Sequence, residues 1–341
     1  ISASETSGEI ASQLISVVIP ARDEAGVIGT TLRAVAAQRG IAQIFLVDDQ
    51  SADQTANRAR ELNLPTLKVI DGIAPPPGWS GKLWALDQGL REVTTRYTLL
   101  LDADIALAPN LVAALLDKLR ATGADLVSVM ARLKMDSFWE GLLIPPFIYF
   151  FKLLYPFALA NSSSKTVAAA AGGCILINTE MLRRIGGVAA LRGALIDDCA
   201  LARCIKAHGG RVWLGLSHDV VALRPYGGLN GIWNMVARTA FTQLRYSTLL
   251  LALCTVLMSV AFCVPIVGLF ASPTRPLAAL TLAIMLITYL PVLTYYRRSW
   301  LWLPSLPIAG VFYLAMTWTS ALRYLRGERS RWKDRVYHRE V

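Results

Sequence analysis

Between Ile15 and about Met130, short β-branched or aliphatic runs alternate with stretches whose apolar residues recur at helical spacing. That alternation is the pattern of a mainly parallel sheet covered by helices. It predicts strands over Ser16 to Ile19, Ile44 to Val47, Leu67 to Ile70, Tyr97 to Leu101 and Leu126 to Met130. Helices are predicted over Glu24 to Gln38, Gln54 to Leu62, Leu83 to Val93, Asn110 to Thr122 and Asp198 to His208. Past Arg245 the pattern changes, and no charge interrupts Tyr246 to Thr274, Pro276 to Tyr296 or Ser299 to Leu322. Each stretch reaches the roughly 20 residues that cross a bilayer core. Spans are therefore predicted at Leu249 to Phe270, Leu277 to Tyr296 and Leu303 to Leu322, and soluble core helices are a weak rival at this length.

Phe138 to Ala160 is rich in Phe, Tyr and Leu but broken by Pro145, Pro146, Lys152 and Pro156. It predicts helices lying in a membrane interface beside the active site, with a buried helical hairpin of the soluble head as the rival. The expected organisation is a polar lead over 1–14, an α/β head over 15–246, a membrane region over 247–325 and a basic tail over 326–341.

Composition agrees with that division, since 54% hydrophobic residues and a mean hydropathy of +0.45 exceed what one soluble domain carries. The net charge of +10 would suit nucleic acid. However, Arg323, Arg326, Arg329, Arg331, Lys333, Arg335 and Arg339 sit just past the last predicted span, where basic residues mark a cytoplasmic flank on anionic lipid. No nucleic-acid partner is expected. The five cysteines give neither a disulfide framework nor zinc spacing and fit a reducing compartment. The chain opens at Ile1 with a polar stretch and no hydrophobic signal region, which leaves room for an anchor further upstream.

In sheets of this kind ligands bind at the carboxyl ends of the strands, and the charges fall there. The first predicted strand runs into Pro20-Ala21-Arg22-Asp23-Glu24, the second into Asp48-Asp49 and the fourth into Asp102-Ala103-Asp104. Asp102 and Asp104 share a face by strand alternation and would hold a hard divalent cation facing a diphosphate. For a single such pair, a turn and helix cap before Pro109 is the plainer explanation. Capping explains Ser51 and Asp53 well but leaves the adjacent carboxylates Asp48 and Asp49 unexplained, so Asp49 is assigned to the donor base. Lys82 follows Gly78-Trp79-Ser80-Gly81 at a helix start, where it is placed to reach phosphate; a solvated surface lysine is the rival. Asp197 and Asp198 suit a helix N-terminus electrostatically, and in the functional reading Asp198 is a general base for an acceptor hydroxyl.

Four segments occur in order: Ser16-Val-Val-Ile-Pro-Ala-Arg-Asp-Glu24, Val47-Asp-Asp-Gln-Ser-Ala-Asp-Gln-Thr55, Asp102-Ala-Asp104 and Asp197-Asp198. Together they resemble the inverting glycosyltransferases of family two, with a GT-A fold, over roughly Ile15 to Tyr246. The run Gly78-Trp-Ser-Gly-Lys-Leu-Trp-Ala-Leu-Asp-Gln-Gly89 is similar to the branch that includes hopene-associated and carotenoid glycosyltransferases. The resemblance implies that Pro20, Ala21, Arg22, Glu24 and Asp49 hold the nucleoside, that Lys82 lies near the donor, and that Asp102 reaches the nucleotide. It implies Asp104 as the ligand of Mg²⁺ or Mn²⁺ and Asp198 as the catalytic base, with Gly172, Gly173, Cys174 and Asp197 on the acceptor side. Two positions depart from the family pattern. Asp197 stands where the Thr-Glu-Asp motif has Glu, and the Gln-x-x-Arg-Trp motif appears as Thr242-Gln-Leu-Arg245-Tyr246. Arg245 is expected to bind the departing diphosphate, and processive polymer synthesis, in which that motif is prominent, recedes.

The implied activity is transfer of a single sugar from a nucleotide diphosphate sugar, UDP by family habit, to a membrane lipid such as a hopanoid or other polyprenoid. A processive polysaccharide synthase and a catalytically silent nucleotide-binding scaffold are the alternatives. The head is expected on the cytoplasmic face of the inner membrane, together with the basic tail, whose Trp332-Lys-Asp-Arg-Val-Tyr337 is similar to a tail of related transferases. Three full crossings would separate head from tail, so either one segment is re-entrant or interfacial or the charge rule fails here. Leu303 to Leu322, which opens on Pro304 and Pro307, is the expected incomplete crossing.

Overall fold

The computed structural model describes residues 14–332 and 335–338, with the last strand pair described as backbone only. Most of the expected polar lead, and Lys333 and Arg339 of the expected tail, lie outside those residues. Contacts divide the chain into two units, 14–134 with 155–224, and 135–154 with the residues from 225 onward. The division therefore differs from a single break after Tyr246. Residues 225–246 group with the apolar helices because side chains such as Phe241, 1% exposed, bury themselves against Leu251 and Ala321.

The first unit contains β1 (Ile15–Ala21), α1 (Ile28–Ala36), β2 (Ile41–Asp48), α2 (Thr55–Glu61), β3 (Leu67–Asp71), α3 (Gly81–Leu90), β4 (Tyr97–Leu101), β5 (Ile105–Leu107), α4 (Leu111–Thr122) and β6 (Leu126–Arg132). The chain then supplies α5 (Phe138–Leu154) to the second unit and returns with α6 (Phe157–Ala160), β7 (Cys174–Asn178), α7 (Thr179–Arg184), α8 (Asp197–Ala207) and β8 (Val212–Ala222). The strands form one sheet in the order β3-β2-β1-β4-β7-β6-β8-β5. β1 runs parallel to β2 and β4, and β6 parallel to β8. β7 pairs antiparallel with β4 and β6, and β5 antiparallel with β8. All five predicted strands and all five predicted helices are present.

The core explains why the central strands read as continuous apolar runs. Every residue of β1 and β4 is buried, because helices cover both faces of the sheet. Each such Leu, Ile or Val contributes roughly 1.5–3 kcal/mol through burial, so the strand ends are held on a stiff base. Gly89 on α3 lets that helix approach β1 closely, since a Cβ there would lie 2.6 Å from Val18 Cγ1. β5, β7 and β8 went unpredicted. β5 is only three residues long, and β8 carries Gly215 and His218 within its run.

The second unit continues with α9 (Leu229–Ala237), α10 (Ala240–Gln243), α11 (Thr248–Phe262), α12 (Val264–Gly268), α13 (Arg275–Tyr295) and α14 (Ser305–Leu325), followed by antiparallel strands Glu328–Trp332 and Arg335–His338. α11 with α12, α13 and α14 are each 21 residues long and apolar enough to cross a membrane. Leu249, Leu277 and Ile287 stay 77%, 69% and 68% exposed, which suits lipid contact better than water. Helices are present over Phe138 to Ala160 as predicted: α5 runs unbroken through Pro145 and Pro146, and α6 follows the break at Pro156.

Candidate active site

Two loops at the carboxyl edge of the sheet lock together. Past β1, Asp23 takes a left-handed backbone (φ 53°), and past β2 Gln50 does the same (φ 55°), at a cost of about 1–2 kcal/mol for a residue with a Cβ. The turns are held by cross-links. The Asp23 amide donates to Ser51 Oγ at 3.0 Å, the Glu24 amide to Thr55 Oγ1 at 2.8 Å and the Ala25 amide to Asp53 Oδ2 at 3.0 Å. Ser51, Asp53 and Thr55 thus clasp the neighbouring loop. At the start of α2 Asp53 also serves locally, its Oδ1 accepting from the Thr55 amide at 2.9 Å, and the cap position Gln54 makes no side-chain cap bond. Arg22 Nη1 donates to the Asp49 carbonyl at 2.6 Å and lies 3.8 Å from its carboxylate, which is almost fully buried. Pro20 and Ala21 close β1 beside this junction.

A second cluster gathers residues that are far apart in sequence. Lys82, at the start of α3, places Nζ 2.8 Å from Asp102 Oδ1 and 3.7 Å from Asp197 Oδ2. The Asp198 carboxylate accepts from the Gly172 amide at 2.8 Å and from the Cys199 amide at 2.7 Å. Pro20, Lys82, Asp102, Gly172, Asp197 and Asp198 line one cleft. Gly172 is needed for proximity, since a Cβ there would stand 3.3 Å from Asp198 Oδ2 and 3.4 Å from Lys82 Nζ. Gly173 supplies the carbonyl that accepts from the Asp102 amide at 3.1 Å. Cys174 is fully buried in the core, and burial, then the charge of Asp102, pushes its thiol up to about 12. It is an inert packing residue rather than an exposed wall.

The charges of this cluster are mutually adjusted. Burial, then the negative charge of Asp197, pushes Asp198 up to about 6, while Lys82 and the two amides oppose the rise. For Lys82, burial alone would favour the neutral amine, but Asp102, then Asp197 and Asp198, outweigh it and hold the ammonium well above the usual lysine value. Asp104 rises to about 6 through burial, then through the like charges of Asp102 and Glu24, with Arg224 pulling the other way.

Arg224, just past β8, escaped the sequence reading. Its guanidinium hydrogen-bonds the Glu24 carboxylate and the Asp23 carbonyl across some two hundred residues of chain. An arginine at the carboxyl edge of the sheet was the available signal, hidden because β8 itself was not predicted. Thr31 was missed as well; its buried hydroxyl donates to the Ala103 carbonyl at 2.8 Å, between the two aspartates. Arg245 belongs to the second unit, where it follows α10 with a left-handed backbone (φ 51°).

Lys206 on α8 is a third unforeseen residue. Only 3% exposed, it donates to the carbonyls of Ser162, Ser164 and Val167 at 3.1, 2.8 and 2.7 Å, and burial lowers its pKa. These bonds tie down the segment that leads to Gly172. Lys206→Met should reduce stability by about 1–3 kcal/mol, the cost of leaving such acceptors without a donor, and a chemical-denaturation midpoint measures it.

A mixed, helix-covered sheet with carboxylates at its strand ends facing a half-buried lysine is the GT-A architecture. The chain belongs to glycosyltransferase-like family 2, whose model matches residues 12–226. The 4,4'-diaponeurosporenoate glycosyltransferase of Staphylococcus aureus is 27% identical over 218 residues, which cover 62% of this chain and 56% of that protein. The chain thus spans little more than half the length of the curated relatives it matches. A mannosyltransferase of Pyrobaculum calidifontis, solved with GDP-Man and Mn²⁺, superposes with a TM-score of 0.55 at 17% identity over 95% of this chain and 91% of its own. That likeness carries the fold alone.

Proposed function

We propose that the chain transfers a single sugar, with inversion, from a nucleotide diphosphate donor, UDP-linked by family habit, to the hydroxyl of an amphiphilic lipid such as a hopanoid or other polyprenoid. The observation that carries this reading is the meeting of Lys82, Asp102, Asp197 and Asp198 in one cleft. Asp198 takes the acceptor proton as the hydroxyl attacks the anomeric carbon. The Gly172 and Cys199 amides fix the orientation of its carboxylate. Lys82 keeps its charge in the cleft, near where the departing diphosphate develops negative charge. Arg22 and Asp49 form the floor of the nucleoside side.

Asp102, Asp104 and Glu24 crowd like charges together, which a divalent cation would offset. Among the described residues no three candidate metal ligands form a group. Mg²⁺ or Mn²⁺ there would be held by one or two carboxylates and completed by donor phosphates rather than by a protein cage. Asp104, with Asp102 beside it, would hold the ion, which when bound neutralises charge on the leaving diphosphate. The apolar helices of the second unit support a membrane location, and the name of the Staphylococcus relative supports a lipid-like acceptor.

Incubation of the full chain with labelled nucleotide sugars and membrane extract tests the reading, with mass analysis of the lipid product. A lipid carrying one added sugar is expected. Metal-dependent donor use that yields long polymer, or no donor turnover at all, would overturn it.

The pH dependence follows from Asp198. A base must be deprotonated, so kcat/KM, which reports ionisations of the free chain, falls as pH drops through about 6. Saturating metal competes with the proton at Asp104, which leaves the remaining acid limb to Asp198. Because Lys82 favours the carboxylate, Lys82→Met should move that limb to higher pH. A limb that stays in place in this variant would contradict the coupling.

A further inference from the structure

Within the second unit, α11 and α14 run as an antiparallel pair. Leu251, early in α11, packs with Ala321, late in α14. The Trp318 indole donates to Thr255 Oγ1 at 3.1 Å, and a Cβ on Gly310 would lie 2.7 Å from the Phe262 ring. The contacts advance along one helix as they retreat along the other. Tyr246, just before α11, accordingly stacks on Tyr324 with ring centroids 4.3 Å apart. One end of the pair holds Tyr246 and Tyr324; the other holds Gly268 and Ser305.

α13 starts and finishes at that second end. It begins beside α12, where a Cβ on Gly268 would sit 3.0 Å from Ala278 Cβ. Further along, Tyr289 packs on Tyr149 at 5.5 Å, while the adjacent Phe150 packs on Phe262 at 5.6 Å and on Tyr313 at 4.9 Å. Tyr289 therefore lies near the height of Phe262. At 1.5 Å per residue that height is only about 9 Å along the pair from Gly268, whereas about 16 Å of α13 separates Tyr289 from Ala278. The helix runs obliquely across the pair. The chain then turns through Arg298, whose guanidinium lies 4.4 Å over Trp302, and enters α14 at Ser305. A helix crossing alongside its neighbours would instead advance to the level of Tyr246 and Tyr324.

We infer that α13 does not cross the membrane, that it enters and leaves at one face, and that α11 with α12 and α14 are the two crossings. The exposed stripe Leu277, Leu280, Ile284 and Ile287, at helical spacing, is then covered by the acyl chains of one leaflet. Two crossings return the chain at Arg326 to the face from which α11 departs, the face of Arg238 and Arg245. Arg238, Arg245, Arg323 and Arg326 then lie toward one face, against Arg275, Arg297 and Arg298 toward the other, a majority in the sense of the lysine and arginine bias of membrane proteins. The incomplete crossing moves from Leu303 to Leu322, where prolines had placed it, to α13. Pro307 falls in the first turn of α14, where a missing N–H is harmless.

Sided thiol labelling tests this. Single cysteines replace Arg238, Ser272, Ser299 or Ser330 in a full chain with Cys204, Cys254 and Cys263 changed to Ala; Cys174 and Cys199 are buried. Sealed vesicles of known orientation are treated with a membrane-impermeant maleimide before and after detergent. Positions 238 and 330 should label from one face and 272 and 299 from the other. Labelling of 272 and 299 from opposite faces would restore three crossings and overturn the inference. Labelling of all four from one face would remove the crossings altogether and overturn it too. The readout is independent of sugar transfer, so its failure leaves the proposed activity standing, and the reverse holds as well.

Discussion

Asp198→Asn should lower kcat for sugar transfer by about 10²–10⁴-fold, the usual worth of a positioned general base, while donor affinity stays within a few-fold. Asn keeps the size of Asp but cannot take up a proton. Its amide also meets one of the two N–H donors, from Gly172 and Cys199, that now face carboxylate oxygens, so some local disturbance accompanies the chemical loss. Two measurements separate these effects. Nucleoside diphosphate binding to Asp198→Asn reports whether the cleft is intact, and Asp198→Glu restores a base at a shifted position and should recover part of the rate. Unchanged transfer by Asp198→Asn would refute the assignment, and equal loss of donor binding and rate would make Asp198 a structural residue.

The Asp197 and Asp198 pair stood out because it opens a helical pattern after the apolar Ala194-Leu195-Ile196, and because the motif order put it downstream of Asp102 and Asp104. The structure brings these carboxylates into the cleft of Lys82 and Asp102. The parallel half of the sheet was legible for a related reason. Strands buried on both faces leave short unbroken runs of Val, Ile and Leu, as β1 and β4 do. What escaped were β5, β7 and β8, which pair with strands far away in the chain. β7 and β8 are non-local neighbours of β4 and β6, and nothing in a local window announces a partner eighty residues away. Arg224 vanished with β8, since its value lies in reaching Glu24 across the sheet edge. Lys206 was illegible for a different reason: backbone carbonyls are its partners, and carbonyls carry no sequence signature. In the apolar half, length and charge predicted the three long helices, whereas their directions depend on side-chain contacts such as Trp318 on Thr255 that no hydropathy window records.

Asp104 carries the second large effect, and its sign on stability is opposite to its sign on activity. With its pKa raised to about 6, the folded chain holds the proton more tightly than the unfolded chain. The contribution of Asp104 to stability is therefore most favourable below the unfolded carboxylate value and is lost as pH rises through about 6. At pH 7.5, without metal or donor, Asp104→Asn should accordingly be as stable as the parent or more so, because it removes a charge crowded by Asp102 and Glu24. The same substitution should lower kcat/KM for transfer by about 10²-fold or more, since an ion-stabilised leaving group accounts for several kcal/mol of barrier. Chelation should abolish transfer by the parent, and Mg²⁺ or Mn²⁺ should restore it. With only Asp104 and Asp102 to hold the ion, metal affinity of the free chain should be weak and should tighten when nucleoside diphosphate is added, which calorimetric titration measures. A structural residue would show the reverse pattern, a fall in the unfolding midpoint with transfer preserved, and that outcome would remove Asp104 from the site.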